Sequence, residues 1–191
     1  MLAAFACLGV ACRNGAAGQG EPAQQPGQPG ASAASPDGAS ATHRRPPGNA
    51  PYAGVIINYP HSGCSFAYSP VDFCDADHRA QIETAIRTQA PNFNRHYLLA
   101  VLQERKAYFQ QSIVLIDSRD GTVFPLPIDA FSGRLAGTGG ATSEGTVETA
   151  VDSDTFCVSG ALLVYRAFEQ GRFCFGFDGQ RFTGHPTQYM N

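Results

Sequence analysis

Residues 112–126 read Ser-Ile-Val-Leu-Ile-Asp-Ser-Arg-Asp-Gly-Thr-Val-Phe-Pro-Leu, and this stretch decides the fold class. Two runs rich in β-branched and aromatic residues, 112–117 and 122–126, flank the pair Asp120-Gly121. Such a pair between two strands is typical of a two-residue hairpin turn, because Gly adopts the positive φ that the turn requires. The stretch therefore predicts two neighbouring antiparallel strands.

The second of these strands contains Pro125 and is closely followed by Pro127. Proline has no backbone N–H and cannot donate to the hydrogen-bond ladder of a central strand. We therefore expect this strand near an edge of the sheet.

The sequence around the hairpin predicts further strands and a single helix. Asp75 or Asp77 is suited to cap a helix over 76–89, and Pro91 prevents the helix from continuing. The apolar stripe of this helix consists of Ile82, Ala85 and Ile86. Further strands are expected at 55–57, 96–102, 155–165, 172–177 and 180–183, the last two joined by Asp178-Gly179.

These elements predict an α+β fold, with one short helix packed on a mostly antiparallel, curved sheet of about seven strands. A small all-β barrel or a propeller-like sheet is the alternative. The later strands are rich in aromatic residues, and Phe173, Phe175 and Phe177 alternate along one of them, so they share one face of the sheet. We expect that face to be core.

Four cysteines fall in the predicted domain at 51–191: Cys64, Cys74, Cys157 and Cys174. An even number of cysteines in an exported chain favours two disulfides. Three pairings exist, and we favour Cys64–Cys74 and Cys157–Cys174 because each closes a short loop. A zinc site is the competing interpretation, but the cysteine spacings contain no C-x-x-C, so no metal site is expected.

The first twelve residues form an apolar stretch with small residues before Cys12. This pattern resembles the end of a bacterial lipoprotein signal, in which the cysteine is lipidated and becomes the first mature residue. Gly9 departs from the pattern because Leu is usual there, and no basic residue precedes the apolar stretch. We expect export to the periplasm or outer membrane, with Cys12 as the candidate lipidation site.

Residues 13–50 are nearly all Gly, Ala, Pro, Gln and Ser. A segment of this composition cannot bury enough apolar surface to offset the entropy of ordering, so we expect a disordered linker. The chain thus divides into a signal at 1–12, a linker at 13–50 and one globular domain at 51–191.

The overall charge and hydropathy pattern limit the partners of the protein. The formal net charge is −3, which excludes a polycation for nucleic acid. No run of about 18 apolar residues exists to span a membrane, so the only expected membrane attachment is a lipid anchor.

Signatures of the common catalytic and cofactor-binding classes are missing from the chain. There is no G-x-S-x-G nucleophile elbow, no H-E-x-x-H zinc motif and no phosphate-binding Walker loop. We therefore expect no cofactor, and the prediction leans away from an enzyme.

Weak catalytic candidates remain. His96 at a strand start has the residue type of a general base, and Asp117 or Asp154 is its candidate carboxylate partner. The more common role of such a histidine is structural. Two groups of neighbouring polar residues have oxygen donors that calcium prefers, although they more often cap helices and turns. These groups are Asp75, Asp77 and His78, and Asp152 and Asp154.

The segment Pro91-Asn92-Phe93-Asn94-Arg95-His96-Tyr97 resembles a segment of a broad group of small, secreted, functionally uncharacterised bacterial proteins. In that group the segment follows a short helix, and other short motifs come after it. Here the matching positions are Leu115-Ile116-Asp117, Asp120-Gly121, Leu126-Pro127, Asp152-Ser153 and 175–179. The resemblance implies export and a common fold, and it implies no particular chemistry.

One element of that group is absent here. Its members carry Gly-Cys-Gly-x-x-Cys between the His-Tyr strand and the Ile-Asp strand, whereas residues 103–108 read Gln-Glu-Arg-Lys-Ala-Tyr. Any activity that depends on the element is therefore not expected in this chain. In the segment 91–97, Asn92 is expected to turn the chain between the helix and the next strand.

Three functional hypotheses follow from the sequence. The first is a non-enzymatic module that binds another envelope or secreted protein, for example an inhibitor or immunity protein of a periplasmic toxin. Its binding element would be the polar segment 103–111 or the Gly- and Thr-rich loop 133–146. The second is an envelope hydrolase that uses His96. The third is a structural or ligand-binding surface lipoprotein, which predicts an apolar pocket.

Overall fold

The computed structural model describes residues 50–137 and 139–191. The signal predicted at 1–12, the lipidation site Cys12 and the linker predicted at 13–50, apart from Ala50, lie outside the described residues. All statements below concern the described part of the chain.

The sheet is built around β5 (Gln110–Asp117), which is buried from Ser112 to Asp117. Its residues 113–116 are at most 2% exposed, as expected for a continuous apolar run that is covered on both faces. On one side β5 pairs in antiparallel fashion with β4 (Tyr97–Arg105). On the other side it pairs with β6 (Thr122–Pro125) and with β7 (Ala130–Ser132).

Short strand β7 links this half of the sheet to a long hairpin. The hairpin consists of β9 (Thr155–Val164) and β10 (Ala167–Phe177), with ten paired positions. Strand β7 pairs with one end of β9, and β8 (Thr146–Glu148) pairs with the other. Strand β11 (Phe182–Gly184) continues the sheet beyond β10.

One further strand completes the main sheet. Strand β1 (Gly54–Val55) pairs with β6 in parallel over two residues, so β6 lies one strand from the edge rather than at it. The main sheet has nine strands in the described residues, and all other pairings in it are antiparallel. The predicted α+β fold with a curved sheet is confirmed, and the two strands of the main sheet that were not predicted, β7 and β8, have three residues each.

Helix α1 (Ala76–Thr88) packs against β4 and ends one residue before the predicted limit. Asp75, not Asp77, is the N-cap, because its Oδ1 accepts a hydrogen bond from the backbone N–H of His78 at 2.8 Å. The predicted stripe of Ile82, Ala85 and Ile86 is buried. His78 is buried with it, which the apolar pattern did not predict.

The turns differ from the two-residue hairpins predicted at the Asp-Gly pairs. Four residues, 118–121, separate β5 from β6, and Asp120 Oδ1 accepts a hydrogen bond from Thr122 N at 2.8 Å. Asp178 Oδ1 likewise accepts from the backbone of a four-residue turn at 178–181. In both turns an aspartate side chain accepts a hydrogen bond from the backbone, and the turn has four residues instead of the two that the Asp-Gly pair predicts.

The two favoured disulfides are both present. Cys157 and Cys174 lie directly opposite each other on β9 and β10, with Cα atoms 4.0 Å apart. Cys64 and Cys74 have Cα atoms 5.6 Å apart and enclose β3 (Ser65–Phe66), which forms a small separate sheet with β2 (His61–Ser62). The four sulfurs are therefore bonded in two pairs, and none of them is a free thiolate that could bind zinc. Two disulfides fit an oxidising, extracytoplasmic compartment.

The aromatic face of β10 is buried, as predicted. Phe173, Phe175 and Phe177 all lie in the core, and Phe175 packs against Phe156 with ring centroids 5.7 Å apart. The aromatic residues near the β9–β10 turn behave differently, because Tyr165 and Phe168 are exposed.

Within the described ranges, α1 is too short and too polar to cross a membrane, and no other helix there has the required length and apolar composition.

The turn at Gly121 provides a test of the fold. Its φ is +81°, and a Cβ built there would lie 1.8 Å from the carbonyl oxygen of Pro51, in the segment that leads into β1. We expect Gly121→Ala to lower the free energy of unfolding by about 3 kcal/mol, because both backbone strain and a backbone clash oppose the methyl group.

Gly63→Ala is the matched control. Gly63 also has a positive φ of +62°, but a Cβ there meets nothing within 4 Å. Its cost is expected to be about 1 kcal/mol, from backbone conformation alone. Urea denaturation measures both variants, and equal losses would show that the close approach of residue 51 does not constrain the turn.

Candidate functional site

The first polar cluster joins the start of α1 to β4. His78 is 7% exposed, and its two ring nitrogens each face a carboxylate oxygen. The distances are 2.9 Å from Nδ1 to Asp75 Oδ1 and 2.8 Å from Nε2 to Glu104 Oε1. Glu104 Oε1 also accepts a hydrogen bond from the buried Ser112 hydroxyl at 2.5 Å. Helix α1, β4 and β5 are thereby connected through one histidine.

The two carboxylates determine the charge of His78. Burial by itself would lower its pKa, but the hydrogen bonds and negative charges of Glu104 and Asp75 outweigh burial and raise the pKa to about 9. His78 is therefore an imidazolium at neutral pH and donates from both nitrogens. A histidine with both nitrogens engaged in this way has no free lone pair with which to act as a general base.

The cleft beside this cluster has a volume of about 290 Å³ and is called the acidic cleft here. One wall is α1, where Gln81 and Gln103 of β4 exchange two hydrogen bonds of 3.1 and 2.7 Å. The other walls come from 70–72, from the segment around Asp129 and from Leu163. The acidic residues that line it are Asp72, Asp75, Asp77, Glu104 and Asp129.

The second polar cluster is centred on the Asp129 carboxylate, which is 3% exposed. Its Oδ1 accepts hydrogen bonds from the Ser69 hydroxyl at 2.5 Å and from the Tyr189 hydroxyl at 2.7 Å. Its Oδ2 accepts from the backbone N–H of Tyr165 at 2.9 Å. One buried carboxylate therefore joins three segments that are distant in sequence. Burial and the bond to Asp129 both raise the pKa of Tyr189, so its hydroxyl stays protonated and donates.

Two tyrosines that adjoin this cluster, Tyr68 and Tyr165, form an exposed pair that is called the tyrosine pair here. Tyr68 is 86% exposed and Tyr165 is 45% exposed, and their rings meet edge to face with centroids 5.9 Å apart. Both have left-handed backbone conformations, with φ of +69° and +47°. Bulky aromatic residues rarely adopt this conformation, which costs on the order of 1–3 kcal/mol at each position.

A pocket of about 260 Å³ opens beside the tyrosine pair. The tyrosine pair and Tyr189 supply its aromatic wall, and Pro60 and Ala67 also line it. Ser69 lies between this pocket and the acidic cleft, because Tyr68 lines the one and Pro70 lines the other. The two cavities therefore adjoin each other across Ser69.

The candidate catalytic histidine of the sequence lies elsewhere. His96 precedes β4, its ring lies 4.2 Å from the ring of Tyr97 between centroids, and its Nε2 is buried without a hydrogen-bond partner in the described residues. No hydrogen bond or ion pair joins it to Asp117 or Asp154 in the same part of the chain.

The two candidate carboxylates have other partners. Asp117 is buried and is held by the Arg119 guanidinium through both of its oxygens. Burial would raise the pKa of Asp117, but the hydrogen bonds from Arg119 outweigh it and lower the pKa. Asp154 is exposed and accepts a hydrogen bond from the Thr155 hydroxyl at 3.2 Å. In the described residues no side-chain hydrogen bond links His96 to either carboxylate, although the charge of His96 contributes to the lowered pKa of Asp117.

Asn92 turns the chain between α1 and β4, as expected. Its side chain donates to Leu99 O at 3.1 Å and accepts from Leu99 N at 2.7 Å, so it pairs with β4 as a strand residue would. Phe93 is fully buried beneath it, and Asn94 and Arg95 adopt positive φ in the tight turn that follows.

Neither acidic group considered for calcium is a chelating cluster. Among the described residues, three donors within 4.8 Å of one another occur only at Cys64, Asp72 and Cys74, and the two cysteines are disulfide-bonded. No three donors of the acidic cleft lie within 4.8 Å of one another in the described residues.

The two segments predicted to bind a partner are neighbours in space. Tyr108, at the tip of the 103–111 segment, lies beside Gly140 of the 133–146 loop, where a built Cβ would be 3.8 Å from the tyrosine ring. The base of the 103–111 segment turns toward the acidic cleft, because Gln103, Glu104, Arg105 and Gln110 line it.

The residues that sequence reasoning missed are Tyr68, Tyr165, Asp129 and Glu104. An aromatic residue within a turn sequence, such as Tyr68 between Ala67 and Ser69-Pro70, is the one local signal that could have indicated an exposed ring. The partners of Asp129 are up to 60 residues away, so nothing near it in sequence indicates its role.

Comparison of the chain with family models, with curated proteins and with solved structures finds no match.

The His78 cluster predicts a specific dependence of stability on pH. The folded pKa of about 9 lies above the ordinary value of 6.5, so protonation stabilises the fold. The contribution is complete below pH 6.5, declines as the pH rises, and is lost above pH 9. We expect His78→Gln to be less stable than the native chain by on the order of 3 kcal/mol at pH 6. The difference should narrow steadily toward pH 9.5.

Denaturation in urea at several pH values measures this difference. The control is His61→Gln, because His61 is exposed and its ring hydrogen-bonds to the carbonyl oxygen of Gly63 rather than to a carboxylate. The control should show a small difference that does not follow the same pH course. A constant deficit for His78→Gln between pH 6 and 9.5 would show that the imidazolium is not what the two carboxylates stabilise.

Proposed function

We propose that this protein is a non-enzymatic, extracytoplasmic binding module that engages another envelope or secreted protein through the tyrosine pair. The observation that carries the proposal is the exposure of Tyr68 and Tyr165 side by side on left-handed backbone. A backbone conformation that costs stability persists where function maintains it, and contact with a partner is such a function.

The support beneath the pair favours binding of a macromolecule. The Asp129 carboxylate holds the residue after Tyr68 and the backbone of Tyr165 itself. Backbone that is held in place before binding loses little conformational entropy on contact, and tyrosine is enriched among the residues that dominate interface energies. The pocket beside the pair gives a partner side chain a place to enter.

The polar clusters support a role without catalysis. Both nitrogens of His78 face carboxylates, and no hydrogen bond joins His96 to Asp117 or Asp154 in the described residues. His78 holds elements of the fold together, and the unpaired nitrogen of His96 is buried, so neither histidine presents a free base to solvent.

The finer form of the proposal is an inhibitor or immunity protein of a toxin in the periplasm, tethered to the membrane through a lipid on Cys12. Two disulfides in a small domain and the signal-like sequence before Cys12 support it. The alternative function, a ligand-binding surface lipoprotein, would use the same pocket beside the tyrosine pair. It would bind a small molecule there instead of a partner protein.

The test is affinity capture with the full oxidised chain, using envelope and secreted fractions of the source organism. The native chain is compared with a Tyr68→Asn/Tyr165→Asn variant. We expect the native chain to retain one protein in stoichiometric amount, and the variant to retain at least tenfold less. Because Asn tolerates left-handed backbone, the variant should unfold at the same or a higher urea concentration, so lost binding is not lost folding.

Tyr108→Asn is the matched control, since Tyr108 is also exposed and lies at the tip of the other candidate segment. It should retain the partner fully. Loss of the partner in the control alone would move the interface to 103–111 and 133–146. Retention of no protein by the native chain would count against a protein-binding module.

A further inference from the structure

The acidic cleft next to the tyrosine pair carries an excess of negative charge. Five carboxylates line it, and the cations among its lining residues are His78 and Arg105. His78 is shared by Asp75 and Glu104. Five carboxylates and two cations leave a formal net charge of −3 on the residues that line the cleft.

Two of the five carboxylates have the greatest freedom to meet a ligand. Asp77 lies in the first turn of α1, and no hydrogen bond or ion pair from a described side chain reaches its carboxylate. Asp72 is exposed and accepts one hydrogen bond, from Cys74 N at 2.9 Å. A cation that enters the cleft between them would keep much of its solvation while gaining both charges.

The cleft and the tyrosine pair adjoin each other at Ser69 and at Asp129. Tyr68 lines the aromatic pocket and Pro70 lines the cleft, with Ser69 between them. Asp129 contributes to the cleft wall and binds the backbone N–H of Tyr165. An extended peptide advances about 3.3 Å per residue, so a segment of a few residues spans both features.

The shape of the charge distribution selects the kind of cation. The carboxylates of the cleft do not come within chelating distance of one another as a group of three in the described residues, which disfavours a metal ion. An arginine guanidinium presents five donors in a plane and bridges separated carboxylates. Arginine also stacks favourably on tyrosine rings, which form the neighbouring surface.

From this charge complementarity we infer that the partner presents a basic extended segment, with an arginine in the acidic cleft and the adjoining residues across Tyr68 and Tyr165. The inference rests on the proposed function, because it specifies the chemistry of the partner that the tyrosine pair binds. The positive charge that neutralises the cleft carboxylates distinguishes this partner from a protein that would contact only the tyrosine rings.

The first experiment tests the cleft with a defined probe. N-acetyl-arginine methylamide is titrated into the ¹⁵N-labelled full chain, and backbone amide shifts are followed by NMR. We expect saturable shifts at Gln81, Gln103 and Gln110, with a Kd of about 10 mM or tighter, as suits one side chain without its neighbours. N-acetyl-citrulline methylamide has the same shape without the charge and should cause no saturable shift.

Variants test whether the cleft carboxylates are responsible. Asp72→Asn/Asp77→Asn keeps side-chain shape and should weaken arginine binding about five- to tenfold. Asp120→Asn/Asp152→Asn removes the same charge from exposed positions outside the cleft and should leave the affinity unchanged. Equal shifts with citrulline, or equal weakening in both variants, would overturn the inference.

The captured partner separates this inference from the function on which it rests. Retention of the partner should fall in Asp72→Asn/Asp77→Asn and should decrease with added salt for the native chain. If retention depends on Tyr68 and Tyr165 but is unaffected by the cleft variant, the binding module stands and the basic segment is refuted. If the native chain retains no protein, both fail together.

Discussion

The structure depends on the pairing of one buried strand. Strand β5 has apolar residues on both faces, and a buried strand must satisfy all of its backbone donors and acceptors with other strands. It does so with β4 on one side and with β6 and β7 on the other. The position of the polar clusters follows from this pairing. Ser112 on β5 lies beside Glu104 on β4, and β7 extends the pairing toward β9, which brings Asp129 next to the β9–β10 turn.

Both polar clusters use buried charge, and neither is evidence of high stability. Removing a carboxylate or imidazolium from water is costly, and a well-packed apolar replacement is often no less stable. What the clusters provide is geometry. His78 fixes the start of α1 against β4, and Asp129 fixes two aromatic residues at strained backbone positions. Buried charges and left-handed backbone, both of which cost stability, therefore occur together around the tyrosine pair and the acidic cleft.

The predictions that the structure confirms depend on contacts close in sequence. The helix over 76–88 follows from an N-cap and an apolar stripe within one segment, and the two disulfides join cysteines 10 and 17 positions apart. The predictions that needed correction concern the lengths of turns. At Asp120-Gly121 a two-residue turn was predicted, but the turn has four residues and the segment at Pro51 packs against it. The catalytic candidates show the same limit of local signals. Residue type suggested His96, but only the structure shows that Arg119 binds Asp117 and that Asp154 is exposed on another loop.

The amino-acid sequence by itself determined the α+β class, the long strands, the helix and the disulfide pairs, because periodicity, turn residues and loop closure act over short separations. Only the tertiary structure decided which polar residues meet. Asp129 binds Ser69 and Tyr189, each 60 residues away, and His78 binds Glu104 across 26 residues. Such contacts depend on the register of strands that are paired far apart in the chain, and β7, which places Asp129, is too short to leave a periodic signal. The exposed tyrosine pair is a product of that register, since its two rings come from segments nearly one hundred positions apart and meet only after the sheet has curled.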